Sequence, residues 1–134
     1  MSKATAAYPS PRLKELMAFA MAKEQVEVEY AQYVKNPNRH LYLMEEAAFI
    51  GIELKGATHC EIRHIAVAET SRNTGTGSRM IEDVIKRHEV QEIFAETDVD
   101  AVGFYGKIGF NIKSLGEKYP GRERFYCAKT LPSK

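Results

Sequence analysis

Between Glu61 and Met80 the chain runs from a β-branched stretch, Ile65-Ala66-Val67, through a polar loop with two glycines into the start of an amphipathic helix. Arg72, Asn73, Thr74, Gly75, Thr76, Gly77 and Ser78 make the turn. That order aims a helix N-terminus and a row of backbone N–H groups at the space beyond the strand end. Glycine permits positive φ and close approach, and the helix dipole adds favourable potential for an anion. The chemistry expected here is the binding of a phosphate-bearing ligand, mainly by main-chain N–H groups. The bland alternative is a strand-to-helix turn with no ligand. A nucleotide-triphosphate loop needs Gly-Lys-Ser or Gly-Lys-Thr after four residues, and no lysine follows either glycine. A dinucleotide fingerprint needs a third glycine where Met80 stands. Arg79 in the first helical turn opposes the dipole, which a bound phosphate would offset, although an exposed arginine needs no special cause.

The elements that must position this loop follow from patterning. Ser10-Pro11 is a helix start, with Leu13, Leu16, Met17 and Ala20 on one face. Lys23 to Lys35 reads either as a strand (Val26, Val28, Tyr30) or as a helix (Val26, Tyr30, Tyr33, Val34); the longer pattern and Asn36-Pro37 favour the helix. Leu41–Met44, Phe49–Leu54 and Cys60–Val67 are strand-like, with connections short enough for antiparallel hairpins. After the loop, Met80, Ile81, Val84, Ile85 and His88 form one helical stripe, and Ile93–Thr97 reads as the next strand. A strand, a helix and a strand in that order imply a right-handed parallel crossover. Ala101–Ile108 is a short helix that Gly109 can end in the left-handed conformation. Phe110–Leu115 and Arg124–Lys129 are strands joined by a long loop, and Met1–Ala7 offers no convincing strand. The architecture expected is α/β with a mixed sheet.

Composition bounds the function. The 134 residues carry a formal net charge of +1, which argues against a dedicated nucleic-acid binder. No apolar run approaches the ~20 residues that cross a bilayer, and the first residues lack the apolar core of a secretion signal. Cys60 and Cys127 show no metal-ligand spacing and are expected as reduced thiols in strands of a cytoplasmic protein. His40, His59 and His88 show no partner pattern, and His64 is expected to project from the face of its strand opposite Glu61.

Arg72-x-x-Gly75-x-Gly77 resembles the acyl-CoA pyrophosphate loop of the GNAT superfamily of N-acetyltransferases. A second stretch, Ala101-Val102-Gly103-Phe104-Tyr105-Gly106-Lys107-Ile108-Gly109-Phe110, looks like that family's later motif: an alanine, a hydrophobic-Tyr pair, then Lys, an apolar residue and Gly-Phe. The interval holds one helix and one strand, as the family requires. The resemblance spans roughly residues 39–130. It implies a single domain over 1–134, with 1–9 flexible, and a mainly antiparallel sheet holding one central parallel pair between flanking helices. It also implies that the pantetheine arm of acetyl-CoA pairs with the backbone of Ile65, Ala66 and Val67, and that residues 72–78 hold the pyrophosphate. Tyr105 matches the tyrosine that protonates the CoA sulfur; the alternative is a core aromatic. Glu61, six residues before Val67, stands where some members place a base for the incoming amine; the alternative is an ion pair with Arg63.

The implied activity is acetyl transfer from acetyl-CoA to a primary amine of a small molecule, peptide or protein, by direct attack in a ternary complex. No metal, nucleic acid or membrane is expected to take part, and the protein is expected as a monomer or homodimer. A non-catalytic acyl-CoA-binding sensor, or an acyltransferase with another donor or acceptor, are the alternatives. The acceptor is expected near the N-terminal helices and the segment from Gly116 to Glu123. Three departures stand out: many members start with a strand, carry Asn where Asp98 stands, and have Pro where Glu69 stands.

Overall fold

A seven-stranded sheet divides the protein, with a hydrophobic core on each face. The computed structural model describes residues 1–132, apart from the side chains of Lys118 and Tyr119. The strands are β1 (Ser2–Lys3), β2 (Arg39–Met44), β3 (Ala48–Leu54), β4 (His59–Val67), β5 (Glu92–Asp98), β6 (Asn111–Tyr119) and β7 (Arg122–Thr130), in the spatial order β1-β2-β3-β4-β5-β7-β6. Every neighbour pair is antiparallel except β4–β5, which is parallel. The mixed sheet with one central parallel pair is the arrangement expected.

One face packs on α1 (Pro11–Met17) and α2 (Val26–Lys35), burying Leu16, Met17, Tyr30 and Tyr33 against Leu41, Phe49 and Ala66. Ser10 caps α1 by accepting from the Leu13 N–H at 3.1 Å, with Pro11 in the first turn. The ambiguous stretch from Lys23 is helical, because Val26, Tyr30 and Tyr33 share one buried face. The other face packs on α3 (Thr76–His88) and α4 (Val102–Lys107), where Met80, Ile81 and Val84 meet Ile50, Ile52 and Ile93.

Two elements differ from the sequence expectation. Ser2–Lys3 is a strand after all, pairing with Leu43 and Tyr42; two residues are too few to show alternation. The long loop expected before Arg124 is a continuation of the β6–β7 hairpin, whose register shifts near Gly116 (φ 81°) and again between Glu117 and Tyr119. Those irregularities hid the strand period.

His40 and His88, which show no partner pattern in the sequence, meet between β2 and the end of α3. Their ring centroids are 4.8 Å apart, and Tyr42 Oη lies 2.7 Å from His88 Nε2. Burial first, then Lys3 and His88, push the His40 imidazole down from 6.5 to about 4. Between those values the unfolded chain binds a proton the folded one does not, so this contribution is full above pH 6.5 and lost as pH falls toward 4. The melting midpoint should fall over that window, and His40→Gln should flatten part of the fall. Identical pH slopes for the two proteins would remove His40 from the account.

Candidate active site

The parallel pair is short. β4 and β5 are in register only at His59↔Glu92, Cys60↔Ile93 and Glu61↔Phe94, after which they diverge. From Ile62 to Val67 the β5-facing edge of β4 has no ladder partner among the described residues, and a cleft of about 1060 Å³ opens there. Its walls include Ile65, Ala66 and Val67, then Arg72, Asn73, Gly75, Thr76, Gly77 and Ser78, and from α4 Phe104 and Tyr105. The structure thus brings most of the expected site residues to one cleft. Thr74 is turned away: its hydroxyl donates to the Ser71 carbonyl at 2.5 Å and lies 2.8 Å from Thr76 Oγ1.

The floor of the loop is the N-terminus of α3. Gly75 is its cap residue with φ 79°, and no side chain among the described residues caps the first turn. The N–H groups of Thr76, Gly77 and Ser78 therefore precede any intrahelical partner and stand at the cleft wall. Positive φ explains the glycine at 75. Gly77 has a different cause. A Cβ there would lie 2.9 Å from two ring carbons of Phe104, so the glycine lets α4 close on the loop from behind. Gly77→Ala should cost roughly 1–3 kcal/mol through overpacking, and Phe104→Leu in the same chain should recover part of it. Equal urea midpoints for Gly77→Ala and the parent would refute the packing role.

Arg72 does less at the loop than its place in the motif implies. Its Nε donates to the Val67 carbonyl at 3.0 Å, and its guanidinium lies over the Phe19 ring, 5.5 Å from the centroid. It therefore ties the strand end to the segment after α1, whose Phe19 and Ala20 also line the cleft. Asp98 accepts from the N–H groups of Asp100 and Ala101 at 3.0 and 3.1 Å, so its carboxylate fixes the approach to α4.

Tyr105 is 3% exposed and packs edge-on against Phe104 and Phe110. Burial, with a smaller effect of Cys127, pushes its phenol up, so it stays protonated through the neutral range.

Glu61 is not among the residues that line the cleft. Its Oε1 accepts from Arg63 Nη1 at 3.1 Å and lies 3.7 Å from Lys55 Nζ. Arg63 also lies 3.7 Å from Glu53, which binds Arg39 at 2.7 Å. This geometry favours the ion-pair alternative for Glu61.

His64 is where the sequence reading departs furthest from the structure. The β3–β4 register steps from Ile52↔Ile62 to Gly51↔His64, leaving Arg63 as the extra residue of a bulge. The bulge reverses the strand's alternation: Ile62 lies in the α3-side core, yet Ala66, four residues on, lies in the α1/α2-side core. His64 consequently shares the α1/α2 face with Glu61 instead of opposing it. Tyr33 Oη lies 2.5 Å from His64 Nδ1 and His64 lines the cleft. No residue pattern within β4 signals the bulge; its partner Gly51 is the only trace.

The family model of the acetyltransferase (GNAT) domain matches residues 9–118. An aminoglycoside 6'-N-acetyltransferase crystallised with coenzyme A is 18% identical, with 100% of this chain and 99% of that one covered and a TM-score of 0.77. An aminoglycoside 6'-acetyltransferase type Ii is 22% identical, with 100% and 99% covered and a TM-score of 0.75. A GNAT family acetyltransferase from Elizabethkingia anophelis with acetyl-CoA bound is 22% identical, with 97% and 96% covered and a TM-score of 0.68. At these identities the likeness establishes a common fold. No curated protein matches the chain.

Proposed function

The chain belongs to the GNAT acetyltransferase family, and we propose that it transfers the acetyl group of acetyl-CoA to a primary amine by direct attack within a ternary complex. The observation that carries this reading is the divergence of β4 from β5 beyond Glu61, leading into the uncapped N-terminus of α3. The edge of Ile65–Val67, outside the ladder with β5 and held at the Val67 carbonyl by Arg72, suits an arm rich in amides, and the N–H groups at 76–78 suit a pyrophosphate. Acetyl-CoA supplies an activated thioester; the residues of this chain orient it and handle protons.

Three demands then fall to the protein. The acceptor ammonium must lose a proton, the developing oxyanion needs donors, and the departing sulfur needs a proton. Free backbone N–H groups on the β4 edge can meet the second demand. Tyr105, held protonated beside the cleft, meets the third. The acceptor enters past Phe19 and Ala20. Initial velocities over a grid of acetyl-CoA and amine concentrations test the order of events. Intersecting double-reciprocal lines are expected; parallel lines would mean that an acyl-enzyme forms instead.

Because Glu61 is held by Arg63 and Lys55, Glu61→Gln should lower the unfolding midpoint while its pH–rate profile stays parallel to that of the parent. A rate loss with a basic amine that is greatest near neutrality and recovers as pH rises would restore Glu61 as the base.

A further inference from the structure

We propose that His64 takes the proton that the acceptor ammonium must lose, with Tyr33 and Gly51 positioning its ring. The proposal rests on the acetyl-transfer reading above and supplies the base that Glu61 leaves unfilled.

Three features of the fold converge on this histidine. Glu61 is the last β4 residue in register with β5, so His64 belongs to the stretch that forms the cleft wall. The bulge at Arg63 turns it toward α1 and α2, the side from which Phe19 and Ala20 border the cleft. Tyr33, 2% exposed, then holds one of its nitrogens: Oη lies 2.5 Å from Nδ1, and the rings meet edge-on with centroids 5.7 Å apart. Gly51, the cross-strand partner of His64, makes that contact possible. A Cβ at 51 would lie 2.2 Å from the Tyr33 hydroxyl, so β3 lacks a side chain where the anchor sits.

The charged groups acting on the ring are Glu29 from α2, Arg39 from β2 and Arg63 from β4, and the neutral Tyr33 hydroxyl of α2 is its hydrogen-bond partner. Burial, the largest influence, together with Arg63 and Arg39 lowers the imidazole, and Glu29 opposes them. A neutral ring keeps a lone pair. The tautomer the proposal assigns carries hydrogen on Nδ1, donated to Tyr33 Oη, with the lone pair on Nε2. Protonation at Nε2 leaves the Nδ1–H bond in place and makes it charge-assisted.

The proton balance closes. The ammonium gives one proton to His64 Nε2, which later passes it to water. The neutral nitrogen attacks the thioester carbonyl, forming C–N as the C=O pair moves to oxygen; that pair returns as C–S breaks. The second proton of the nitrogen replaces the one Tyr105 gives to sulfur.

The test uses the full chain and a panel of primary amines of graded basicity. His64→Gln should bind acetyl-CoA with unchanged affinity by calorimetry. Its rate with the most basic amines should fall about 10²-fold or more near neutrality and converge on the parent's as pH rises. Tyr33→Phe retains the imidazole without its anchor: kcat should fall, the KM for acetyl-CoA should hold, and the pH inflection should move without vanishing. Added imidazole should partly restore His64→Gly. If His64→Gln fails to fold, Tyr33→Phe and the nitrogen chemical shifts of His64 in the parent decide, with hydrogen on Nε2 overturning the assignment. A His64→Gln profile parallel to the parent's would also overturn it. Absence of amine-dependent CoA release from the parent would instead defeat the acetyl-transfer reading itself, a distinguishable failure.

Discussion

Gly75→Glu should lose affinity for both acetyl-CoA and free CoA by about 100-fold or more, on the order of 3 kcal/mol. Two effects add. The φ of 79° at this position strains a residue with a Cβ other than Asn or Asp by roughly 1–2 kcal/mol, and relief of that strain disturbs the preformed loop. The new carboxylate also sits at the start of α3, where the dipole and the free N–H groups of 76–78 attract it. It would occupy the donors as an internal anion and repel a pyrophosphate. A Cβ at 75 meets no atom within 4 Å, so the variant should fold. Gly75→Asn tolerates the same backbone without the charge and should retain much of the affinity. Calorimetry on both variants checks this, and unchanged binding by Gly75→Glu would move the phosphate site elsewhere.

Tyr105→Phe should lower turnover by about 10²–10⁴-fold while leaving acetyl-CoA affinity nearly intact. Only the hydroxyl is removed, and the ring keeps its contacts with Phe104 and Phe110. The phenol's raised value means it can donate throughout the neutral range, so the deficit should persist from mildly acidic to mildly basic pH. Steady-state rates at saturating acetyl-CoA measure it. Equal turnover across that range would make Tyr105 a core aromatic and leave protonation of sulfur to water.

What could be read beforehand was whatever a local pattern encodes. The loop, the crossover and the two flanking strands announce themselves because glycine spacing, a 3.6-residue stripe and β-branched runs each repeat over several residues. Within the stretch Lys23–Lys35 the helix runs over Val26–Lys35, where Val26, Tyr30 and Tyr33 share one buried face. What failed depended on pairs distant in sequence. Ser2–Lys3 becomes a strand only because β2 offers an edge. His40 and His88 are 48 residues apart and meet only through the packing of α3 on the sheet. The bulge at Arg63 has the largest consequence. One extra residue reverses the alternation of β4 and brings His64 to the face of Glu61, and nothing local distinguishes it from regular strand. Gly77 shows a subtler limit: its place in the motif was legible, but its contact with Phe104 was not.

Acetyl transfer to an amine is read from the release of free thiol from acetyl-CoA by the parent protein, with and without each amine of a panel, alongside mass spectrometry of the amine. Thiol release should depend on both protein and amine, be matched mole for mole by N-acetylated product and be lost in Gly75→Glu. Binding of acetyl-CoA at the Arg72–Ser78 loop with no amine-dependent release from any member of the panel would contradict it, leaving an acyl-CoA-binding module in place of an enzyme.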